Sequence, residues 1–241
     1  MTHFDHRQAI DHISFDAGGV IVFLDDVRMA KELSEFSGRK VTSAECMRAE
    51  RYVMCKASGM FRTQETNGIP GWAHDFFGDL ATQILKADAT RHPRFHEFLV
   101  RFYTMNVEQM LYSKIGLDVV VALARLKDHG FRLSVTSDAS GQVERHFKEQ
   151  GLDQYFEFIL DSGIEGHSKP ELYATLIKRA DVPARRILHV DNNERLVVAA
   201  VTMGLQAVFF DPQDVCLSPP DGIPRFRSLL DMADMLMGRT S

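Results

Sequence analysis

The sequence predicts an α/β protein with a doubly wound parallel sheet and a helical domain inserted after the first strand. Beyond residue 112, short apolar runs alternate with segments that have helical spacing of apolar residues. From 26 to 110 the pattern is helical, with few strand-like runs. Alternating strands and helices are typical of βαβ units and a parallel sheet. We therefore expect a core domain from residues 1–25 and 111–241, and an α-helical domain from 26–110.

The first element is a short apolar run that stops at Asp16 and is followed by Gly18 and Gly19. It predicts a buried strand and a tight turn within residues 10–24. In the inserted region Thr42 precedes Glu45 by three residues, which is a capping-box pattern for a helix start. The predicted helices of this region cover residues 26–37, 42–56, 70–88 and 92–110.

The second half predicts four further strands and four helices. Gly130, Gly151 and Gly204 each follow a helical segment and act as helix stop signals. The predicted helices cover 117–129, 142–150, 170–180 and 193–203, and the predicted strands cover 131–136, 156–160, 186–190 and 206–210.

Composition excludes several classes of function. The formal net charge is −5 and hydrophobic residues make up 45% of the chain, so no basic field favours nucleic acid or an anionic membrane. Apolar stretches are shorter than a membrane span, and the first seven residues are polar rather than signal-like. Cys46, Cys55 and Cys216 lack metal-ligand spacing, which favours free thiols and a cytoplasmic location.

Polar residues stand at or after the ends of several predicted strands, where parallel sheets place their chemistry. They are Asp16, Ser137, Lys169, Asp191 and Asn192. A carboxylate nucleophile, a hydroxyl, a lysine and further oxygen ligands suit an anionic substrate and a hard cation. Each also has a simpler interpretation, as a turn former, a strand-end cap or a surface lysine. Their common placement favours a catalytic site.

From Ile10 to Leu236 the chain resembles the haloacid dehalogenase-like (HAD) hydrolase superfamily, in the branch with a D-x-G-G-V first motif. The helical insertion resembles the α-helical cap of this superfamily, and the remainder resembles its Rossmann-like core. The segments that carry the resemblance are 15–21, 136–140, 166–173, 190–193 and the closing 222–229.

The resemblance implies a phosphomonoesterase that acts on a small phosphorylated metabolite, as a monomer or homodimer. Asp16 would form an aspartyl-phosphate, Ser137 would bind phosphoryl oxygens, and Lys169 would orient Asp16. Asp16, Gly18, Asp191 and Asn192 would hold Mg²⁺. The substrate-binding residues would be Gly19, Asp138, Arg51 and Arg62.

Three positions depart from the pattern of the superfamily. Gly18 stands where many members have a general acid/base aspartate, although glycine there resembles a branch that includes active sugar-phosphate phosphatases. Asn192 replaces a metal-ligating aspartate, which should weaken magnesium binding. Leu196 stands where this branch has Asn or Asp. Two alternatives therefore stay open: a catalytically degenerate protein that binds a ligand or a protein, and a metal-free hydrolase of the 2-haloacid dehalogenase type.

Overall fold

The computed structural model describes residues 9–56, 68–214 and 220–238, and the chain divides into two compact units. The first unit joins the N-terminal segment up to Phe23 with the chain from Lys114 onward. The second unit is continuous from Leu24 to Ser113. The roles of these units as catalytic core and cap stay predictions.

The first unit contains a six-stranded sheet in which all strand pairings are parallel. Its strands are β1 His12–Phe15, β4 Arg132–Ser137, β5 Phe158–Asp161, β6 Ile187–Asp191, β7 Gln206–Phe210 and β8 Arg225–Phe226. The two remaining strands of the described residues, β2 Val22–Leu24 and β3 Tyr112–Ile115, form a separate sheet. The order in the six-stranded sheet is β5-β4-β1-β6-β7-β8, with β1 central. This order confirms the predicted doubly wound α/β fold.

Helices flank this sheet and build the second unit. Within the described ranges the α-helices are α1 Asp26–Ser37, α2 Ser43–Lys56, α3 Gly71–Leu85, α4 Phe95–Glu108, α5 Val119–Asp128, α6 Val143–Glu149, α7 Ser162–Glu165, α8 Leu172–Ala180, α9 Glu194–Thr202 and α10 Leu229–Leu236. Among the helices of these ranges, none combines the length and the hydropathy that a membrane span requires.

The central strands are buried on both faces, as expected for a parallel sheet covered by helices. All residues of β1, β6 and β7 are buried, including polar ones. The polar side chains hydrogen-bond across neighbouring strands: Nε2 of His12 lies 2.7 Å from Oγ of Ser134, and Oγ of Ser14 lies 2.9 Å from Oγ1 of Thr136. The sheet therefore carries a buried polar row inside an apolar core.

The second unit has an apolar core of its own, formed by α1 to α4. Aromatic side chains make up much of this core. The ring centroid of Phe98 lies 4.2 Å from that of Phe36 and 4.3 Å from that of Phe102. The capping box at the start of α2 is present, because the Thr42 backbone N–H donates to Glu45 Oε2 (2.9 Å) and the Glu45 N–H donates to Thr42 Oγ1 (3.2 Å).

Some elements differ from the sequence-based expectation. The region 10–24 contains two strands, and β2 pairs with β3 in a separate two-stranded sheet where the chain passes between the units. The third predicted helix ends at Leu85, because Lys86 takes a left-handed conformation (φ 57°). The fourth begins at Phe95, after a short 3-10 turn at Ala89–Arg91.

Candidate active site

Asp16 follows the last residue of β1 and opens a tight turn. Its backbone N–H donates to the Val190 carbonyl at 2.8 Å, which fixes it beside β6. Gly19 has φ 81°, and its N–H donates to the Val22 carbonyl at 2.7 Å. The positive φ favours glycine, and a Cβ at this position would stand 2.0 Å from Nδ2 of Asn192, so any larger residue would also have to displace that side chain. Gly19 thus shapes the turn, and its predicted role in substrate binding stays a prediction.

Lys169 joins two carboxylates in the buried centre of the site. Its Nζ donates to Oδ1 of Asp16 at 3.0 Å and to Oδ2 of Asp191 at 2.7 Å. The side chains of Lys169 and Asp191 are 2% and 1% exposed, whereas that of Asp16 is 12% exposed. Asp16 is therefore the most exposed of these three side chains.

Asp191 is held by three donors. Oδ1 accepts from the Asn193 backbone N–H at 2.8 Å, while Oδ2 lies 3.1 Å from Nε2 of His189 and also receives Lys169. The inward-facing carboxylate is thus engaged in orienting the lysine. Its role as a magnesium ligand stays a prediction. The contacts indicate that Asp191 also holds the Lys169 ammonium in position.

Burial and charge separate the proton affinities of the two aspartates. Burial, with the Asp191 charge, raises the pKa of Asp16 to about 6 against the opposing effect of Lys169. Burial acts in the same sense on Asp191, but Lys169 and the His189 hydrogen bond outweigh it and lower the pKa of that carboxyl to about 2. The two carboxylates raise the pKa of Lys169 well above its ordinary value despite burial. At neutral pH Asp16 is ionised and paired with an ammonium.

His189 shares the buried environment of Asp191. Burial lowers its pKa, so the ring is neutral at pH 7. An ionised carboxylate only accepts hydrogen bonds, so the single ring hydrogen belongs on Nε2, facing Asp191. His189 precedes Asp191 by two positions in a strand and so shares its face, although the sequence alone favours a supporting or packing role for it.

Ser137 and Asp138 complete the site from the end of β4. Ser137 is buried, and its hydroxyl lies near enough to the Asp16 carboxylate to oppose the rise in the pKa of that group. Oδ1 of Asp138 accepts from the backbone N–H of Lys169 at 2.9 Å, which ties β4 to the lysine segment. The four predicted strand-end positions at 16, 137, 169 and 191 therefore come together, as the sheet topology requires.

The other two predicted substrate-binding residues belong to the segment inserted after the first strand. Arg51 is in α2 of the second unit, and Arg62 lies outside the described residues. Their contribution to substrate binding stays a prediction.

The donors available for a cation are few. Among the described residues, no group of three or more His, Cys, Asp and Glu side chains could hold a metal ion. Asp16, the Gly18 carbonyl and the Asn192 amide, which lies against Gly19, offer oxygen donors with one formal negative charge. Oxygen donors suit Mg²⁺, but a single charge predicts weak binding.

The model of the haloacid dehalogenase-like hydrolase family matches residues 10–204. An enolase-phosphatase E1 from Parvibaculum lavamentivorans is 31% identical over 108 residues, which are 43% of this chain and 46% of that protein. The 5-amino-6-(5-phospho-D-ribitylamino)uracil phosphatase YigB of Escherichia coli is 39% identical over 67 residues, which are 27% of this chain and 28% of that protein. The matches thus span less than half of each of these two relatives.

Solved structures share the fold at low sequence identity. An L-2-haloacid dehalogenase from Xanthobacter autotrophicus has a TM-score of 0.64 and 15% identity, covering 96% of this chain and 100% of that one. A predicted phosphoglycolate phosphatase from Haemophilus somnus has a TM-score of 0.65 and 17% identity, covering 95% and 99%. The site and the family match together define the class: this chain belongs to the haloacid dehalogenase-like hydrolase family.

Proposed function

We propose that the protein is a magnesium-dependent phosphomonoesterase that acts on a small phosphorylated metabolite. The observation that carries the proposal is the ionised Asp16, the most exposed of the three charged side chains, paired with the buried Lys169. An ion pair of this kind presents a carboxylate nucleophile and keeps a positive charge where phosphoryl oxygens gather. The phosphatase names of the two partly matching relatives agree with this choice.

In the proposed reaction a carboxylate oxygen of Asp16 attacks phosphorus, and the bond from phosphorus to the leaving oxygen breaks. The Ser137 hydroxyl donates to a phosphoryl oxygen, and Lys169 offsets the charge that collects there. Water then attacks phosphorus of the aspartyl-phosphate, which releases inorganic phosphate and regenerates Asp16. The inward Asp191 keeps the lysine in place in both steps.

Magnesium, when bound, would neutralise phosphoryl charge at the Asp16 oxygens. The residues proposed to hold it are Asp16, Gly18 and Asn192. Asp191 would contribute indirectly, because it holds Lys169 in place. Because Asn192 contributes no charge, we expect the enzyme to need a higher magnesium concentration than a variant with a second carboxylate.

The lack of an acid at position 18 makes a specific demand on the substrate. Loss of general acid/base help typically costs about 10²–10⁴-fold in rate. A leaving group that is stable as an anion, such as an aryl oxide, does not need the proton. We therefore expect aryl phosphates to be hydrolysed faster than simple alkyl phosphates.

The first test is hydrolysis of p-nitrophenyl phosphate with and without magnesium by the wild type, Asp16→Asn and Asp128→Asn. Asp128 is exposed at the end of α5 and serves as the matched control. We expect magnesium-dependent turnover that only Asp16→Asn abolishes. No turnover above Asp16→Asn, repeated on sugar phosphates and nucleotides, contradicts the proposal and favours a ligand- or protein-binding role.

A second test addresses the metal ligand. Asn192→Asp adds a carboxylate beside Gly19 and should lower the magnesium concentration for half-maximal turnover by about tenfold or more. Asn193→Asp, one residue away at the α9 start, adds the same charge without that effect. An unchanged magnesium dependence in Asn192→Asp would remove position 192 from the metal site.

A further inference from the structure

A buried hydrogen-bonded row lies behind the Lys169–Asp16 ion pair. His189 in β6 is fully buried, and its Nε2 lies 3.1 Å from Oδ2 of Asp191. The same oxygen accepts from Nζ of Lys169 at 2.7 Å. One carboxylate oxygen thus joins the imidazole to the ammonium.

The position of the ammonium depends on the orientation of this carboxylate. A lysine stem is long and flexible, so its head group lies where its acceptors place it. The Asn193 backbone N–H donates to Oδ1 of Asp191, whereas Oδ2 receives hydrogen bonds from both His189 and Lys169. Without the His189 contact the carboxylate is free to rotate about the Oδ1 hydrogen bond, and the lysine would follow it.

The imidazole ring is itself confined from two sides. The ring of Tyr173 in α8 packs edge-on against it, with centroids 4.9 Å apart. Its Nδ1 lies 3.4 Å from Oγ of Ser14, which lies 2.9 Å from Oγ1 of Thr136. Since Ser14 and Thr136 belong to β1 and β4, the row spans three adjacent strands beneath the site.

We propose that His189 is a positioning residue that, through Asp191, places the Lys169 ammonium against the reacting carboxylate of Asp16. The effect on turnover rests on the proposed phosphatase function, whereas the effect on the lysine does not.

The chain offers matched variants. His189→Gln keeps an N–H that can reach Asp191, whereas His189→Leu removes the donor and keeps an apolar volume. His12→Leu is the control, because His12 is also fully buried in the sheet and its Nε2 bonds to Ser134 rather than to the site. His189→Leu loses the contacts of the ring with Asp191 and Ser14, and His12→Leu loses the contact with Ser134. Each variant thus gives up buried hydrogen bonding in the same sheet, so a general loss of stability should appear in both.

The first readout is the ¹⁵Nζ–H signal of lysine in the NMR spectrum. A buried ammonium held by two carboxylates should exchange slowly with water, and the Lys169→Met variant identifies its signal. We expect the signal to shift or to be lost in His189→Leu and to persist in His189→Gln and His12→Leu. A folded His189→Leu with an unchanged signal, or an equal change in His12→Leu, overturns the proposal.

The second readout is turnover of p-nitrophenyl phosphate. Misplacing a catalytic group slightly can cost up to about a hundredfold, so we expect His189→Leu to lose kcat with little change in KM. His189→Gln should recover most of this loss, and His12→Leu should retain wild-type kcat. If the wild type itself shows no turnover, the proposed function fails while the lysine signal still decides the role of His189.

Discussion

Asp16 and Lys169 form one ion pair, yet at neutral pH they should affect stability in opposite directions. The folded state raises the pKa of Asp16 from its ordinary value to about 6, mainly through burial. The native state therefore binds the proton more tightly than the unfolded state, and its stability falls as pH rises from about 4 to 6. Ionisation of Asp16 therefore lowers the stability of the folded protein, but the proposed nucleophile has to be ionised to react.

We predict that Asp16→Asn raises the free energy of unfolding at pH 7, by up to roughly 3 kcal/mol, because the amide needs no ionisation. The advantage over the wild type should vanish near pH 4. Urea unfolding in the presence of a chelator at both pH values measures this, and a less stable Asp16→Asn at pH 7 would contradict it.

Lys169→Met should have the opposite effect. Removing the ammonium leaves Asp16 and the deeply buried Asp191 without their shared counter-charge, and breaking a buried ion pair typically costs about 3–5 kcal/mol. We expect a loss of that size in urea unfolding at pH 7. Lys148→Met, at an exposed position of α6, is the control and should unfold like the wild type.

The strand-end rule predicted which residues meet at the site, but not what each does there. Asp16, Ser137 and Asp191 were placed together because parallel strands end at one edge. Which donor meets which carboxylate oxygen depends on side-chain rotamers and on neighbours such as Asn193 and His189, which a single sequence does not encode locally. The role of Asp191 in holding the lysine therefore emerged only from the distances.

At the scale of elements, strong local signals predicted the structure well. The first helix has the predicted bounds, and the glycines at 130, 151 and 204 end helices with φ 98°, 67° and 85°. The strands β2, β3 and β8 were not predicted as separate elements. β2 and β8 have only three and two residues, and β3 includes the polar Ser113 and Lys114, so none of them forms a distinct apolar run. Their pairing is decided by tertiary contacts.

The capping box of α2 gives a prediction at this scale. Thr42→Ala removes the hydroxyl that accepts from the Glu45 backbone N–H, and loss of such a cap costs about 1 kcal/mol. Thr42→Ser keeps the hydroxyl and should stay within a few tenths of the wild-type stability. Urea unfolding of the three proteins measures the difference. Equal loss in the serine variant would show that the methyl group, not the cap, stabilises this helix.

For the whole molecule, the doubly wound sheet followed from the alternation of elements, and the family match agrees with it. The sheet order could not be read from the sequence alone, because which helix covers which face is set by packing over long sequence separations. That order puts β1 in the centre, between β4 and β6. The central position surrounds β1 with buried polar partners on both sides.

His12, the first residue of β1, should make global stability depend on pH. Burial, aided by Arg132 and opposed by Glu157, lowers the pKa of His12 to about 4 from its ordinary 6.5. Between these values the unfolded chain binds a proton that the native state does not, so stability is lost as pH falls from about 6.5 to 4. The full contribution of this residue is on the order of 3 kcal/mol.

Replacing His12 with glutamine, which can still bond to Ser134, should flatten this part of the pH profile. Carboxylates such as Asp16 titrate in the same range, so the quantity to follow is the difference in unfolding free energy between wild type and variant at pH 7 and pH 4.5. We expect the variant to gain on the wild type as pH falls, while His129→Gln, at an exposed position, tracks the wild type. A constant difference would mean that folding does not lower the pKa of His12, and that the centre of the sheet accommodates a charged imidazole at pH 4.5.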